Sequence, residues 1–342
     1  EGCESCQRLP PLGLFLFLKY LRIARLNGIV SIGADFHGNN SSSFKSLQEL
    51  YFYDMRQWEK WDCQAVTGAF PCLQDFSIKY CPKLKGHLPK FVALKTLRVI
   101  HCQQLEELTI SSALESISDD CVSLRIFPPD FFPTLRTLEL SGFPNLQMIS
   151  QNLVDNHLWH LEIKKCPNFE SLPANMHMLL PSLSTLVIEE CPRLESFSEG
   201  GLPLNLKHIT LNNCFRLVDS LKRALGDSPS LETLKIEKLE AECFPDEGLL
   251  PLCLSELIIE DCQNLKKLNY KGLLELSSLL TLKLVNCPNL QCLPEEGLPK
   301  SILVLEIIAC PLLEQRCNKE GGEDWEKISD IPRVYINGKK FV

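Results

Sequence analysis

One short apolar pattern recurs along most of this chain, and it restricts the folds that the chain can adopt. It reads Leu158-x-x-Leu161-x-Ile163-x-x-Cys166-Pro167-x-Phe169-x-x-Leu172-Pro173. The same spacing returns at 183–197 and 279–294, and at 73–89 with one residue inserted. A unit this short cannot bury its own apolar residues, so it is stable only when it is stacked on its neighbours. The pattern therefore predicts a stack of repeats rather than a single globular core.

The copies can be aligned on the position that cysteine fills in most of them. That position falls at residues 26, 55, 81, 102, 121, 143, 166, 191, 214, 239, 262, 287 and 310, which gives thirteen copies. Their mean spacing of about 24 residues lies in the range of leucine-rich repeats. The copy at Cys121 is weak, because Ala113, Ser116 and Ser118 stand where apolar residues are expected. We predict one leucine-rich-repeat domain over 1–342, with 1–17 as a truncated leading repeat and 311–342 as a C-terminal cap.

The spacing within each copy predicts the local structure. In L-x-x-L-x-L the second and third apolar residues are two apart, so both side chains point to the same side of a short strand. That side faces the interior, and the residues between them face solvent. We therefore expect an α/β repeat solenoid, a horseshoe with a parallel β-sheet on its concave face and irregular or 3-10 segments on its convex side.

Nine of the seventeen cysteines occupy the aligned position, and their pattern predicts a structural role. Leu26, Met55, Phe143 and Leu239 fill the same position in other copies, so the position requires a buried apolar side chain. A thiol meets that requirement and can add a weak hydrogen bond to the backbone. Successive cysteines could also form disulfides. The alternation with apolar residues favours free thiols, which fit a reducing compartment such as the cytoplasm.

Several other classes of function are disfavoured by the sequence. Cys3 and Cys6 form a C-x-x-C pair, but no second pair or suitably spaced histidine completes a metal site. The net charge of −8 argues against nucleic acid or an anionic membrane as the main partner. The apolar run at 12–21 is too short to insert across a membrane. We find no phosphate loop, dinucleotide fingerprint or hydrolase motif, so we predict no cofactor, no catalytic residue and no enzyme activity for this chain.

The solvent-facing strand positions are the candidate binding residues. Tyrosine and arginine predominate in the early strands and acidic residues in the later ones, and exposed Tyr and Arg are the types that anchor protein interfaces. An ordinary solvated sheet with β-favouring residues is the alternative interpretation. The candidates are Tyr20, Arg22, Tyr51, Tyr53, Lys79, Arg98, Ile100, His160, Glu162, Glu189, Lys235, Glu237, Glu260, Lys283 and Glu306.

Some segments go beyond a general repeat. They include the opening Cys6-Gln-Arg-Leu9-Pro10-Pro11-Leu12-Gly13, the stretch Trp58-Glu59-Lys60-Trp61 and the tail Trp325-x-x-Ile328-x-x-Ile331-Pro332. With the C-P-x-L-x-x-L-P core, they resemble the leucine-rich-repeat end of plant coiled-coil nucleotide-binding disease-resistance proteins, the NLR immune receptors. The chain starts at Glu1 without a recognisable signal peptide, and we expect it to be part of a longer protein.

The resemblance implies an intracellular receptor. Its repeats would restrain a nucleotide-binding switch by intramolecular contact and help to recognise a pathogen effector, directly or through a guarded host protein. ATP or ADP would bind only to the N-terminal switch module, which this chain lacks. Relief of the restraint would lead to a localised cell-death response, the hypersensitive response. The expected location is the cytoplasm, the nucleus or the inner face of the plasma membrane.

The same repeat pattern is compatible with three other classes of protein. Substrate-recognition repeats of an F-box ubiquitin-ligase adaptor are the main alternative, although such repeats typically carry a second internal cysteine and lack the C-P-x-L-x-x-L-P tail. A cell-surface receptor ectodomain would carry Asn at the turn and a Gly-x-Ile-Pro segment. A bacterial repeat-bearing ubiquitin ligase would need a separate catalytic domain, for which this chain has no room.

Overall fold

The structure, a computed structural model, describes residues 1–3, 5–38, 43–62, 68–106, 124–150, 157–197, 201–221, 224 and 230–341. The chain divides into two compact units, Glu1–Pro173 and Ala174–Val342. In each unit short strands alternate with turns and with return segments, which lead from the end of one strand back to the start of the next. The strands form a parallel sheet. The predicted leucine-rich-repeat solenoid with a parallel sheet is thereby confirmed.

In the first unit, each five-residue strand pairs in parallel with the next one, residue for residue. These strands are Tyr20–Ala24, Glu49–Tyr53, Asp75–Lys79, Thr96–Ile100, Thr137–Ser141 and His160–Lys164. The strand portion predicted for the copy at Cys121 lies outside the described residues, whereas the end of that copy, from Leu124 onward, is described. Thr96–Ile100 pairs directly with Thr137–Ser141.

The second unit repeats this arrangement and ends in a cap. Its five-residue strands are Thr185–Glu189, His208–Asn212, Thr233–Glu237, Glu256–Glu260, Thr281–Val285 and Val304–Ile308. Arg333–Ile336 then adds a further parallel strand, and Lys339–Lys340 turns back antiparallel to it. The sequence pattern predicted a cap over 311–342 but gave no indication that this cap extends the sheet.

The core is formed by the repeated apolar positions. In one copy Leu158, Leu161, Ile163, Cys166 and Phe169 are all completely buried. Strand residues alternate between buried and half-buried along most of the five-residue strands, which is the period expected when one face of a sheet is covered. Burying one such side chain contributes about 2 kcal/mol, so the stacked rows supply much of the stability.

A left-handed residue ends nearly every strand. The residue just before the aligned cysteine position has a φ near +50°, as in Tyr80, His101 and Asp261, or is glycine, as in Gly142. Its N–H donates to the last carbonyl of the next strand; Tyr80 N lies 2.8 Å from Ile100 O. This single left-handed step reverses the chain sharply and directs the next side chain into the core. The sequence pattern did not reveal it, because residues of many types occupy the position.

The aligned cysteines bind the backbone from inside the core. Each of those in the described residues is buried. Cys214 Sγ lies 3.2 Å from Asn212 O in its own copy and 3.7 Å from Ile188 O in the preceding one. The sulfur of Cys310 also accepts from the N–H of Cys287, at 3.4 Å. The predicted buried ladder with weak backbone hydrogen bonds is confirmed in geometry.

The segments between the five-residue strands contain 3-10 helices, as predicted, together with short α-helices and two-residue strand pairs that were not predicted. Short helices are Leu12–Leu14, Ala34–His37 and Pro129–Phe131 in the first unit, and Met176–Leu179, Phe215–Asp219, Tyr270–Leu274, Pro311–Arg316 and Trp325–Lys327 in the second. Two-residue parallel pairs join neighbouring return segments: Ser31–Ile32 with Lys60–Trp61, Ile126–Phe127 with Met148–Ile149, and Cys243–Phe244 with Lys267–Leu268. Strands of two residues are too short to show a hydrophobic period in the sequence.

Candidate protein-binding face

The solvent-facing first, third and fifth positions of the five-residue strands are called here the sheet face. The structure places every candidate binding residue at one of these positions. Those of the first unit are Tyr20, Arg22, Tyr51, Tyr53, Lys79, Arg98, Ile100, His160 and Glu162. Those of the second unit are Glu189, Lys235, Glu237, Glu260, Lys283 and Glu306.

The first two strands carry an aromatic cluster on the sheet face. The ring centroids of Tyr20 and Tyr51 are 5.4 Å apart, and the guanidinium carbon of Arg22 lies 5.8 Å from the Tyr53 ring centroid. Tyr20 is 53% exposed and Tyr53 36%. Arg22 Nε also contacts the Glu1 carboxylate at 3.0 Å. We call Tyr20, Arg22, Tyr51 and Tyr53 the aromatic end; its rings hold one another in place and remain open to solvent.

Arg98 is the centre of an ion-pair network and not the free cation that its sequence position suggested. Its Nε lies 2.8 Å from Glu139 Oε1, and its Nη1 lies 3.1 Å from Asp75 Oδ1. Partial burial opposes the charge, but the bonds to Glu139 and Asp75 outweigh it and raise the Arg98 pKa. The acidic neighbours stand on the flanking strands and were not among the predicted residues. They neutralise the charge of Arg98.

Tyr51 is fixed by a similar contact. Its hydroxyl donates to Glu49 Oε2 at 2.9 Å. Burial, followed by the hydrogen bond to Glu49, raises the Tyr51 pKa well above its usual value. Further along this unit, Glu162 lies 3.6 Å from His160 and 3.3 Å from Lys164. In both strands, the polar and charged side chains contact partners on the same strand.

In the second unit the charged side chains of the sheet face pair with each other. Lys235 Nζ lies 2.7 Å from a carboxylate oxygen of Glu237 and 2.7 Å from one of Glu260. The Asn212 amide donates to Glu189 at 3.2 Å and to Glu237 at 2.6 Å. Lys283 pairs with Glu256 at 2.9 Å. Lys235 and Lys283 therefore compensate only part of the acidic character expected from the sequence, because the same face carries five glutamates.

A hollow opens beside the aromatic end, at the edge where the strands terminate. We call it the aromatic hollow; its volume is about 480 Å³ and it is lined by Tyr53, Asp54, Arg56, Tyr80, Pro82, His101 and Gln103. The Tyr53 and Tyr80 rings meet edge to face at 5.6 Å, and the His101 ring stacks on Tyr80 at 5.3 Å. Apart from Tyr53, none of these residues was predicted as a binding residue from the sequence. Tyr80 and His101 directly precede the aligned cysteines, and that offset is the signal that could have identified them.

Among the described residues, no group of three or more His, Cys, Asp or Glu side chains could hold a metal ion. Within the same part of the chain, no helix combines the length and apolar character needed to cross a bilayer.

Comparison with known proteins shows which other repeats these are similar to. The family model for the leucine-rich repeats of RPS2-like plant disease resistance proteins matches residues 45–192. An Arabidopsis thaliana protein named for disease resistance is 42% identical in an alignment of 95 positions that covers 26% of this chain and 7% of that protein. The disease resistance RPP13-like protein 1 of Arabidopsis thaliana is 31% identical in an alignment of 192 positions that covers 50% of this chain and 18% of that protein. The chain thus matches less than a fifth of the length of either relative.

A solved structure with a similar chain path is the leucine-rich repeat domain of the type III effector XopL. It is 24% identical, with a TM-score of 0.49, and the match covers 70% of this chain and 76% of that one. The repeat pattern, the parallel sheet and the named relatives agree with one another. This chain is a leucine-rich-repeat domain, and its repeats are similar to those of plant disease resistance proteins.

Proposed function

We propose that this domain is the protein-binding sensor of an intracellular plant immune receptor. It recognises a pathogen effector, directly or through a guarded host protein, and in the resting receptor it restrains the nucleotide-binding switch by intramolecular contact. ATP or ADP binds to that switch module and not to this chain. The buried free thiols of the repeat ladder fit a reducing compartment, in the cytoplasm, the nucleus or at the inner face of the plasma membrane.

The exposed aromatic end is the observation that carries this proposal. The other charged groups of the sheet face are mostly paired within their own unit, as with Arg98 and Lys235. By contrast, Tyr20 and Tyr53 expose ring surface that nothing in the described residues covers completely. Tyrosine and arginine supply large contact areas with few torsions to fix, which is why they anchor interfaces. The kinship to disease resistance proteins supports a defence-related partner.

The experiment is a binding and cell-death assay with the full-length receptor that carries this domain. Tyr51→Ala with Tyr53→Ala is expected to abolish cell death triggered by a co-expressed effector and to weaken its co-precipitation. Tyr335→Ala, on an outward position of the cap strand in the second unit, is the matched control and should behave as wild type. A nucleotide-switch variant that signals without effector should remain active with both tyrosines replaced. Unchanged recognition by the double variant would exclude the aromatic end as the sensor surface.

A test of the restraint uses the same receptor without an effector. Deleting this domain from it should either raise basal cell death or increase nucleotide exchange on the switch module. If neither changes, the proposed restraint is wrong, although binding through the aromatic end could still be measured.

A further inference from the structure

The aromatic hollow has the composition of a site for a cation. Tyr53, Tyr80 and His101 provide three ring surfaces around one opening, and Asp54 provides a carboxylate at its margin. The negative ring face of an aromatic side chain attracts a cationic group within about 6 Å. Arg22 already occupies such a position over the Tyr53 ring, at 5.8 Å. The chemistry of the walls therefore favours a positively charged guest.

The walls of the hollow are fixed before any guest arrives. Tyr80 and His101 both have left-handed backbone conformations, with φ of 58° and 53°. Their N–H groups are held by Ile100 O and Ser141 O, each at 2.8 Å. On the far side of the His101 ring lies Gly142, where a Cβ would overlap the imidazole. The stacked Tyr80 and His101 rings are thus confined from both sides, so little side-chain entropy is lost when a partner binds.

Asp54 offers one free oxygen to a guest. Its Oδ1 accepts from Arg56 Nε at 2.7 Å, whereas Oδ2 has no hydrogen-bond partner among the described residues. The Asp54 side chain is 20% exposed and that of Arg56 is 68% exposed. An ion pair with so exposed a partner is weak and can be rearranged at little expense. The carboxylate can therefore accept a second donor while Arg56 turns outward.

We propose that the aromatic hollow binds an arginine side chain on the protein partner. This inference rests on the proposed function and names the partner's contact chemistry. The planar guanidinium would stack on the Tyr80 or Tyr53 ring while one N–H donates to Asp54 Oδ2. Arginine fits better than lysine, because its guanidinium is planar, weakly hydrated and able to stack and donate at once. The exposed cations Arg22 and Arg56 keep the affinity for an isolated arginine low, so the rest of the interface must contribute.

The test is an NMR titration of the full 342-residue chain with N-acetyl-arginine-N-methylamide. The matched probe is the citrulline analogue, which has the same shape without the charge. Saturable shifts are expected at the His101 and Tyr80 ring signals, with at least about tenfold weaker binding of the citrulline probe. Equal binding of both probes, or no shift at these rings, would overturn the inference.

Two variants test whether the arginine probe binds in the aromatic hollow. Asp54→Asn should weaken arginine binding about fivefold or more, since it removes the charge and suits a left-handed position. Tyr80→Asn should abolish it and also tolerates that backbone. Asp261→Asn, at the equivalent left-handed position of another copy in the second unit, is the control and should leave binding unchanged. Unweakened binding by both Asp54→Asn and Tyr80→Asn would place the probe elsewhere and refute the site.

Failure of this inference and failure of the proposed function give different results. If the probe does not bind but replacing Tyr51 and Tyr53 still abolishes effector recognition, only the arginine site is wrong. If the probe binds the hollow but recognition is independent of the aromatic end, the cation site stands and the proposed sensor surface is wrong.

Discussion

Arg316 and Asp324 form a two-point ion pair inside the C-terminal cap. Arg316 Nε lies 3.0 Å from Asp324 Oδ2, and Nη2 lies 3.3 Å from Oδ1. The same carboxylate accepts from Lys327 Nζ at 2.8 Å and from the N–H of Leu293 at 3.0 Å. Asp324 is fully covered, although it lies near the surface of the cap. Burial opposes its charge, yet Arg316, Lys327 and the Leu293 amide together lower the Asp324 pKa.

We predict that Asp324→Asn loosens the cap. The substitution keeps the size of the side chain but leaves Arg316 and Lys327 without their shared counter-charge, at an expense of about 2–3 kcal/mol in unfolding free energy. Hydrogen exchange should accelerate in Arg333–Ile336 and Val304–Ile308. Glu323→Gln is the control, because Glu323 also pairs with Arg316 but is largely exposed. Equal exchange rates in the two variants would show that the buried pair does not hold the cap.

Acid should destabilise the first unit through His37. This histidine is buried among Phe36, Phe44 and Phe70, and burial lowers its pKa from about 6.5 to about 4, against a small opposing effect of Asp62. The unfolded chain therefore binds a proton between these pH values that the folded unit excludes. The stabilisation is complete above pH 6.5 and falls by about 2–3 kcal/mol as the pH decreases to 4.

The check is the unfolding free energy from urea titrations at pH 7.5 and 4.5. His37→Phe should reduce the difference between the two values, and His157→Phe, at an exposed position, should not. An unchanged difference in His37→Phe would assign the acid sensitivity to other groups.

The alternation along a single strand gives a matched pair of substitutions. Leu186 is completely buried, whereas its neighbour Val187 lies on the sheet face. Leu186→Asp places an unpaired charge in the core and should unfold the surrounding copies, with loss of exchange protection in His208–Asn212. Val187→Asp should change the unfolding midpoint only slightly. Similar effects of the two variants would contradict the register of this strand.

Relieving the backbone strain at a left-handed alanine should stabilise the second unit. Ala309 has a φ of 53° and an exposed side chain, a conformation that costs an alanine about 1–2 kcal/mol. Ala309→Gly removes this strain but increases the entropy of the unfolded chain, so we expect a net gain of about 0.5 kcal/mol. The measurement is a urea unfolding curve. The same replacement at the helical residue Ala34 should instead lower the unfolding free energy of the first unit.

Thiol reactivity should separate two sets of cysteines. Burial raises the pKa of Cys166 to about 11 and that of Cys317 to about 12, so both are protonated and covered at pH 8. Exposed Cys3, Cys72 and Cys243 should be alkylated by iodoacetamide first, as read by mass spectrometry of peptides. Fast labelling of Cys166 in the folded protein would mean that the ladder is not buried.

The strands and core were predictable because their signal is local and repeated. Each five-residue strand contains two inward apolar residues at fixed spacing, as Leu161 and Ile163 do, and the cysteine position follows three residues later. The cap strand Arg333–Ile336 was missed because it stands outside the repeat. The placement of candidate residues on the sheet face followed from the period of two.

What the sequence by itself determined is which side chains are buried and which face outward, since apolar spacing requires it in any stack of such units. Only the tertiary structure decided how the outward residues interact. Arg98 is neutralised by Asp75 and Glu139, which lie 23 and 41 residues away along the chain but on adjacent strands. Likewise, Tyr53, Tyr80 and His101 come from three successive copies and form one wall because parallel strands are only about 4.8 Å apart. Charge pairing and hollow formation depend on contacts between copies, and a pattern within one copy does not contain that information.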